Sequence, residues 1–400
     1  AVLVERIIRK ITNPQEPVDI DRLLVVTFTN AAAAEMRERI GEAISQALEK
    51  YPDNRQIQRQ MTLLGKASIT TIHSFCLDVI RSNFQHIDID PNFRIADETE
   101  STLMKLEALD EVFEEQYEKE DNKDFLELLE SYGGNRDDQI LMDMVFNLYG
   151  FIQSSPWPEA RLNEMAQALS LEEGADFGHT SWGRILLDVA RLEFLGLKEM
   201  AGKALALSRE AGLDKYLTVL KNDYDQIDYV LQMIPDPADS EGAALSQGPI
   251  WDKVCRLIES INFDRMPTLG KDADKVSQEK VKKIRNQVKA GIRKLQERIF
   301  TAGSEEIIKD LNALYPKMSC LAGLASDLAR KYNEKKARKS MVDFNDLEHL
   351  CLELLTQKDE DGNLIPSQTA VTYRERFVEV MVDEYQDSNL VQEIIIKMIS

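Results

Sequence analysis

The chain has 400 residues, of which 43% are hydrophobic and 30% charged. That is enough apolar material for two or three packed domains and excludes a disordered chain. No apolar run reaches the roughly 18–20 residues that span a bilayer, and AVLVERIIRK at the start has neither the basic head nor the cleavage site of a signal peptide, so a cytoplasmic protein with no membrane partner is expected. The net charge of −21, taken alone, speaks against a nucleic-acid partner.

That average hides a segregation. Residues 97–130 hold 14 acidic and 3 basic side chains, residues 271–298 hold 10 basic and 4 acidic, and residues 330–339 hold 6 basic and 1 acidic. DNA binding needs only a local basic stripe, so an acidic arm and a DNA groove can coexist in one chain. Cys76, Cys255, Cys320 and Cys351 are scattered without C-x-x-C or metal spacing, which reads as reduced thiols. A start without Met is expected of a chain cut from something longer.

In chain order, residues 1–11 place Val4, Ile7, Ile8 and Ile11 on one helical face, and Asn13-Pro14 ends that helix. Residues 23–28, LLVVTF, form the short β-branched run of a strand buried on both faces in a parallel sheet. A helix rich in Ala, Glu and Arg is predicted over 31–50, a second strand over 67–72 (ASITTI) and a helix over 74–84. Such alternation with short connections predicts an α/β fold with a doubly wound parallel sheet, helices on both faces. From 97 to 339 the pattern is almost wholly helical, with loops at 156–158, 174–183 and 234–248. The α/β character then returns: a helix over 344–355, a polar loop over 359–366, the end of a helix at 372–376, and a buried-type strand over 377–382 (FVEVMV). The chain thus divides into 1–95, a helical insertion over 96–338, and a return to the α/β domain over 339–400.

The last strand runs directly into Asp383 and Glu384, at the carboxyl end of the sheet, where open α/β sheets bind ligands. Paired carboxylates there suit ATP hydrolysis, with Asp383 holding Mg²⁺ and Glu384 activating water. A bare Asp-Glu is a common strand end; the longer string DEYQDSN, with Gln386 and Asp387 in step, is far more specific. Thr27, Phe28, Thr29 and Asn30 sit where a strand turns into a helix, a place whose hydroxyls and free N–H groups favour a phosphate and which also suits an ordinary helix cap. Thr71, His73, Ser74 and Phe75 repeat that arrangement, so single-stranded DNA could cross both. Phe75 is either a stacking platform or core, and a lone His is more often structural than catalytic. Asp343, in SMVDFNDLEHL, reads as a helix cap.

The segments AVLVERI, LLVVTFTNAAAAEM, TIHSFC, VDFNDLE and VDEYQDSNLVQE together resemble, in order and spacing, the UvrD/Rep-like superfamily 1 helicases. Ala31, where UvrD-type motifs carry Lys, and FRIADETE after the third motif are similar to the AddA-type helicase–nuclease subunits of that family. The resemblance implies a RecA-like motor lobe of the P-loop NTPase type with a helical insertion. It implies Asp383 and Glu384 as the Walker B pair and Gln386 as the link from the γ-phosphate to DNA movement. It also implies ATP and Mg²⁺ as cofactors, single-stranded and duplex-end DNA as substrate, and an AddB-like partner in a heterodimer. It places the basic stretches 271–298 and 330–339 nearer DNA than the acidic arm. The family's Gly-rich phosphate loop is not in this sequence, which contains no G-x-x-x-x-G-K-[ST] run. A fragment without that loop, the second motor lobe and the nuclease domain, inactive by itself, is therefore expected. The competing expectations are a UvrD-like helicase without nuclease and an ATP-independent DNA-binding scaffold.

Overall fold

The computed structural model describes residues 2–13, 15–87, 89–133, 138–236, 249–270 and 273–400. Most of the loop expected over 234–248 lies outside these residues, as do Ala1, Pro14, Lys271 and Asp272. The chain forms two compact units, Ala1–Glu164 with Ser319–Ser400, and Met165–Met318. The first begins with α1 (Val2–Ile11), β1 (Leu23–Thr27), α2 (Asn30–Lys50), α3 (Arg55–Leu63), β2 (Ser68–Thr71), α4 (Ile72–Asn83), β3 (Arg94–Ile95), α5 (Glu98–Glu118), α6 (Lys123–Tyr132) and α7 (Gln139–Ile152). The chain enters the second unit along α8 (Pro158–Gln167), which is followed by α9 (Ser181–Glu210), α10 (Asp214–Met233), α11 (Ile250–Ser260) and α12 (Lys275–Arg298). It returns along α13 (Ser304–Arg338) to β4 (Met341–Val342), α14 (Phe344–Leu355), β5 (Thr356–Lys358), β6 (Leu364–Pro366), α15 (Gln368–Arg376), β7 (Glu379–Val382) and α16 (Leu390–Ile399).

All five residues of β1 are buried, as a β-branched run must be when helices cover both faces of a parallel sheet. Its neighbours are β2 and β7, both parallel, in the order β2-β1-β7. Leu23 and Val25 face a core with Ile7, Ile11, Ile40, Ile44 and Ile57 from α1, α2 and α3. Leu24 and Val26 face the opposite core, with Cys76 and Val79 from α4, Leu347 and Leu352 from α14, and Val391 and Ile395 from α16. Each such fully buried aliphatic side chain contributes about 1.5–3 kcal/mol. Strands β3 and β4 form a short parallel pair that joins Ile95 to Val342.

The expected elements of the sheet are present, with ends shifted by a residue or two. The expected polar loop over 359–366 is instead part of an antiparallel hairpin of β5 and β6. Its turn is held by the Asp359 carboxylate, which accepts from the backbone N–H groups of Asp361 and Asn363 at 3.0 and 2.7 Å, and by Gly362 at φ 83°. Its strands are three residues each, too short for a period of two to show.

The two charged arms of the first unit answer one another. Lys331 on α13 pairs with Glu115 at 2.5 Å and Glu111 at 3.6 Å on α5, and Lys335 pairs with Glu111 at 2.7 Å and Glu107 at 3.5 Å. Lys336, 4% exposed, lies 2.6 Å from Asp346. Two of the six basic residues of 330–339, Lys331 and Lys335, thus neutralise the acidic helix, while Arg330 and Arg338 pair within α13 itself. In the second unit, helices pack around Trp251, whose indole N–H donates to the Ala302 carbonyl at 3.0 Å. There Arg285 grips Asp223 with two hydrogen bonds of 2.5 and 3.1 Å and donates a third to the Asp264 carbonyl at 2.8 Å.

Candidate functional site

Strand register brings the sequence motifs together. Thr27 stands opposite Thr71, and Val26 opposite Val382, so Thr27, Thr71 and Asp383 mark the carboxyl ends of three adjacent parallel strands. The Asp383 N–H donates to the Val26 carbonyl at 2.9 Å, which fixes the acidic turn beside the Thr27–Asn30 segment. Glu384 has φ 54° and ψ 45°, a left-handed conformation that costs a non-glycine residue about 1 kcal/mol or more and that clusters at functional sites. Tyr385, Gln386 and Asp387 follow as one 3₁₀ turn, and the Gln386 amide donates to the Glu384 carboxylate. Asn389 then caps α16, accepting from the Gln392 N–H at 2.8 Å.

A cavity of about 580 Å³ opens on this edge between α1, the start of α2 and the end of β7; Leu3, Arg6, Met36, Arg39 and Asp383 are among its walls. Arg6 is ion-paired with Glu379, and Arg39 with Glu35. Guanidinium groups beside a hard carboxylate oxygen are the donor set that a magnesium-bound polyphosphate takes. Among the described residues no group of three or more His, Cys, Asp or Glu could hold a metal by itself; magnesium at nucleotide sites uses one or two carboxylates and fills its shell with phosphate and water, so Asp383, in the cavity wall, fits that ion.

The second set of predicted residues divides by exposure. Thr29 caps α2, its hydroxyl oxygen accepting from the Ala32 N–H at 3.0 Å, and Thr71 caps α4, accepting from the Ser74 N–H at 3.2 Å. Thr71 also donates its own proton to the Ser74 hydroxyl at 2.9 Å. Thr27 is buried, with its hydroxyl donating to the Thr29 carbonyl at 3.1 Å. Phe28 and Asn30 are exposed, and His73 and Ser74 are half-buried. Phe75 as a stacking platform needs correction: it is 4% exposed and packs edge-on against Tyr373 at 5.7 Å, so its ring belongs to the core. The exposed aromatic beside this helix start is Phe344, edge-on to His73 at 5.1 Å. Asp343 caps α14 in a reciprocal capping box with Asp346.

Sequence reasoning passed over Glu348, which the structure makes the junction of three motifs. It is 3% exposed. One carboxylate oxygen lies 3.0 Å from His73 Nε2 and accepts from the Gln392 amide at 2.6 Å; the other accepts from the Asn389 amide at 2.9 Å. Burial pushes the carboxyl up, but the hydrogen bonds from His73, Asn389 and Gln392 outweigh it and hold the group below the ordinary glutamate range. The available signal was the pair Asn389 and Gln392, one helical turn apart and therefore on one face.

With this geometry in hand, the comparisons are decisive at the level of family: the model of the UvrD/REP helicase N-terminal domain matches residues 1–400. The chain belongs to the UvrD/REP helicase family. Over its whole length it is 61% identical to the A-type subunit of the ATP-dependent helicase/nuclease of Acetivibrio thermocellus, covering 31% of that protein. It is 52% identical to the protein of the same name from Ruminiclostridium cellulolyticum and 45% identical to that of Clostridium novyi, again over its whole length and covering 31% of each. The chain therefore spans about a third of the length of these curated relatives. Membership of the UvrD/REP helicases accounts for an α/β unit with a small parallel sheet inside a mostly helical chain. No described helix is long and apolar enough to cross a membrane.

Proposed function

We propose that this chain is motor sequence of a cytoplasmic ATP-dependent helicase–nuclease of the AddA type, which moves along single-stranded DNA, unwinds duplex ends and processes them in double-strand-break repair together with an AddB-like partner. Residues 1–95 and 339–400 supply one RecA-like lobe, and 96–338 its helical insertion. The observation that carries this reading is the alignment of Thr27, Thr71 and Asp383 on one edge of a parallel sheet: the acidic turn and both helix starts share a surface. The names of the relatives support it.

In this reading Asp383 would hold Mg²⁺ beside ATP in the cavity next to α1, where the ion would offset phosphate charge. Arg6 and Arg39 face the same cavity, each ion-paired with a glutamate, and would meet phosphate by exchanging that partner. Glu384 accepts the proton of the attacking water. Gln386, hydrogen-bonded to Glu384, reports changes at that carboxylate to the rest of the turn. The strand crosses Phe28, Thr29, Asn30, His73 and Ser74, where helix N-termini meet phosphates and Phe28 offers a stacking face. The test is steady-state ATP hydrolysis by the intact protein with saturating oligonucleotide. Glu384→Gln is expected to lower kcat by about 10²–10⁴-fold, the usual contribution of a positioned base. A kcat within threefold of wild type would refute the assignment.

A further inference from the structure

Resting on that motor reading, we infer that Glu348 is the positioning residue through which bound single-stranded DNA is communicated to the acidic turn. His73 lies in the first turn of α4, on the edge assigned to DNA, and its ring is part-exposed. Asn389 caps α16 immediately after the turn that carries Glu384 and Gln386. Between them stands one buried carboxylate, with His73 on one side and Asn389 and Gln392 on the other.

The arrangement transmits for a physical reason. Both oxygens of Glu348 are engaged, and the carboxylate has little solvent to fall back on. A shift of His73 by a bound strand therefore has two outcomes. Either the carboxylate follows it and draws the Asn389 cap along, or donors buried with it lose their partner, at the full cost of an unsatisfied polar group. With the Nε2 proton committed to Glu348, the neutral ring's other nitrogen is an acceptor for an N–H donor of a base, and the carboxylate sets the plane in which it points. Phe344, on the same helix as Glu348, packs edge-on to the same ring, so α14 holds His73 by both polar and aromatic contacts. Glu348 itself touches neither ATP nor DNA in this scheme.

Glu348→Gln keeps the shape but removes the charge and one acceptor. The experiment measures, in the intact protein, the ratio of ATP hydrolysis rates with saturating and without poly(dT) oligonucleotide. The expected result is a stimulation ratio lowered about tenfold by Glu348→Gln, as suits the loss of one charge-assisted hydrogen bond. His73→Ala is expected to lower it similarly, and the double variant by no more than about twofold beyond either single one. Gln392→Leu breaks only the α16 side and is expected to lower the ratio severalfold, which keeps the test open if Glu348→Gln folds poorly by circular dichroism. Ratios within twofold of wild type in the folded variants, or losses from His73→Ala and Glu348→Gln that multiply in the double variant, would overturn the role of Glu348. A wild-type protein whose hydrolysis DNA does not stimulate would instead sink the motor reading beneath it.

Discussion

Each unit of the chain buries a carboxylate almost completely, and the two are satisfied in opposite ways. In the all-helical unit Asp223, 2% exposed, is met by a single cation: Arg285 supplies two hydrogen bonds, and the whole assembly stays among α10, α12 and the segment at Asp264. In the sheet unit Glu348, 3% exposed, is met by three different side chains from two other helices, one of them part-exposed on the predicted DNA edge. A closed ion pair fixes local packing and has no route to a ligand. A carboxylate shared among a part-exposed histidine, a helix cap and an amide joins a surface side chain to the start of α16. Burial of charge alone does not separate the two; the identity and exposure of the partners do.

That contrast can be broken experimentally, most strongly on the structural side. Asp223→Ala leaves the Arg285 guanidinium buried without its counterion, and the expected loss is about 3–5 kcal/mol. Unfolding in urea followed by tryptophan emission, with Trp251 at the centre of that unit's core, checks it; a loss below 1 kcal/mol would show that the pair is dispensable. Glu348→Gln should cost less, about 1–2 kcal/mol at neutral pH, because the neutral amide still offers one acceptor. Its pH dependence has a definite sign. A glutamate held below its unfolded value stabilises the fold above that value, about 4.3, and this contribution is lost as pH falls through the lower folded value. The gap in melting temperature between wild type and Glu348→Gln should therefore be constant above about pH 5 and close below about pH 4. A gap that widens in acid would contradict the hydrogen-bond assignment. The smallest effect belongs to the α5–α13 pairs: Lys335→Ala should cost about 0.5 kcal/mol and fade with salt, since the glutamates it meets are half-exposed. A loss above 2 kcal/mol in 0.5 M salt would make that zipper a structural element.

The sheet was legible in the sequence because LLVVT and FVEVMV are short apolar runs rich in β-branched residues, and the acidic turn because Asp383 and Glu384 follow a strand without a break. Thr71 was read as strand because the helix was expected to start at 74 and starts at Ile72, whereas Thr29 and Asp343 were legible as caps, since a hydroxyl or carboxylate before a helix has few other uses. Glu348 was not: it sits among polar neighbours in FNDLEH, and its burial depends on partners more than forty positions away. Phe75 stayed open between stacking platform and core for the complementary reason, because a first-turn aromatic shows nothing in one dimension of which way the helix is rolled. The charge runs at 97–130 and 330–339 were visible as counts, but only packing shows that Lys331 and Lys335 are turned towards α5.

The register of the sheet also sets an order of events in time. β1 finds β2 within about 45 residues, whereas its other neighbour, β7, follows about 350 residues later, which a ribosome adding 5–20 residues per second supplies only after roughly 20–70 s. During that interval Met165–Met318, a continuous stretch, can assemble from its own sequence, while one side of β1 stands as an open apolar edge exposed to illegitimate pairing. Synthesis rate and chaperone occupancy over that window, rather than the stability of the finished sheet, then govern the yield of correctly assembled protein.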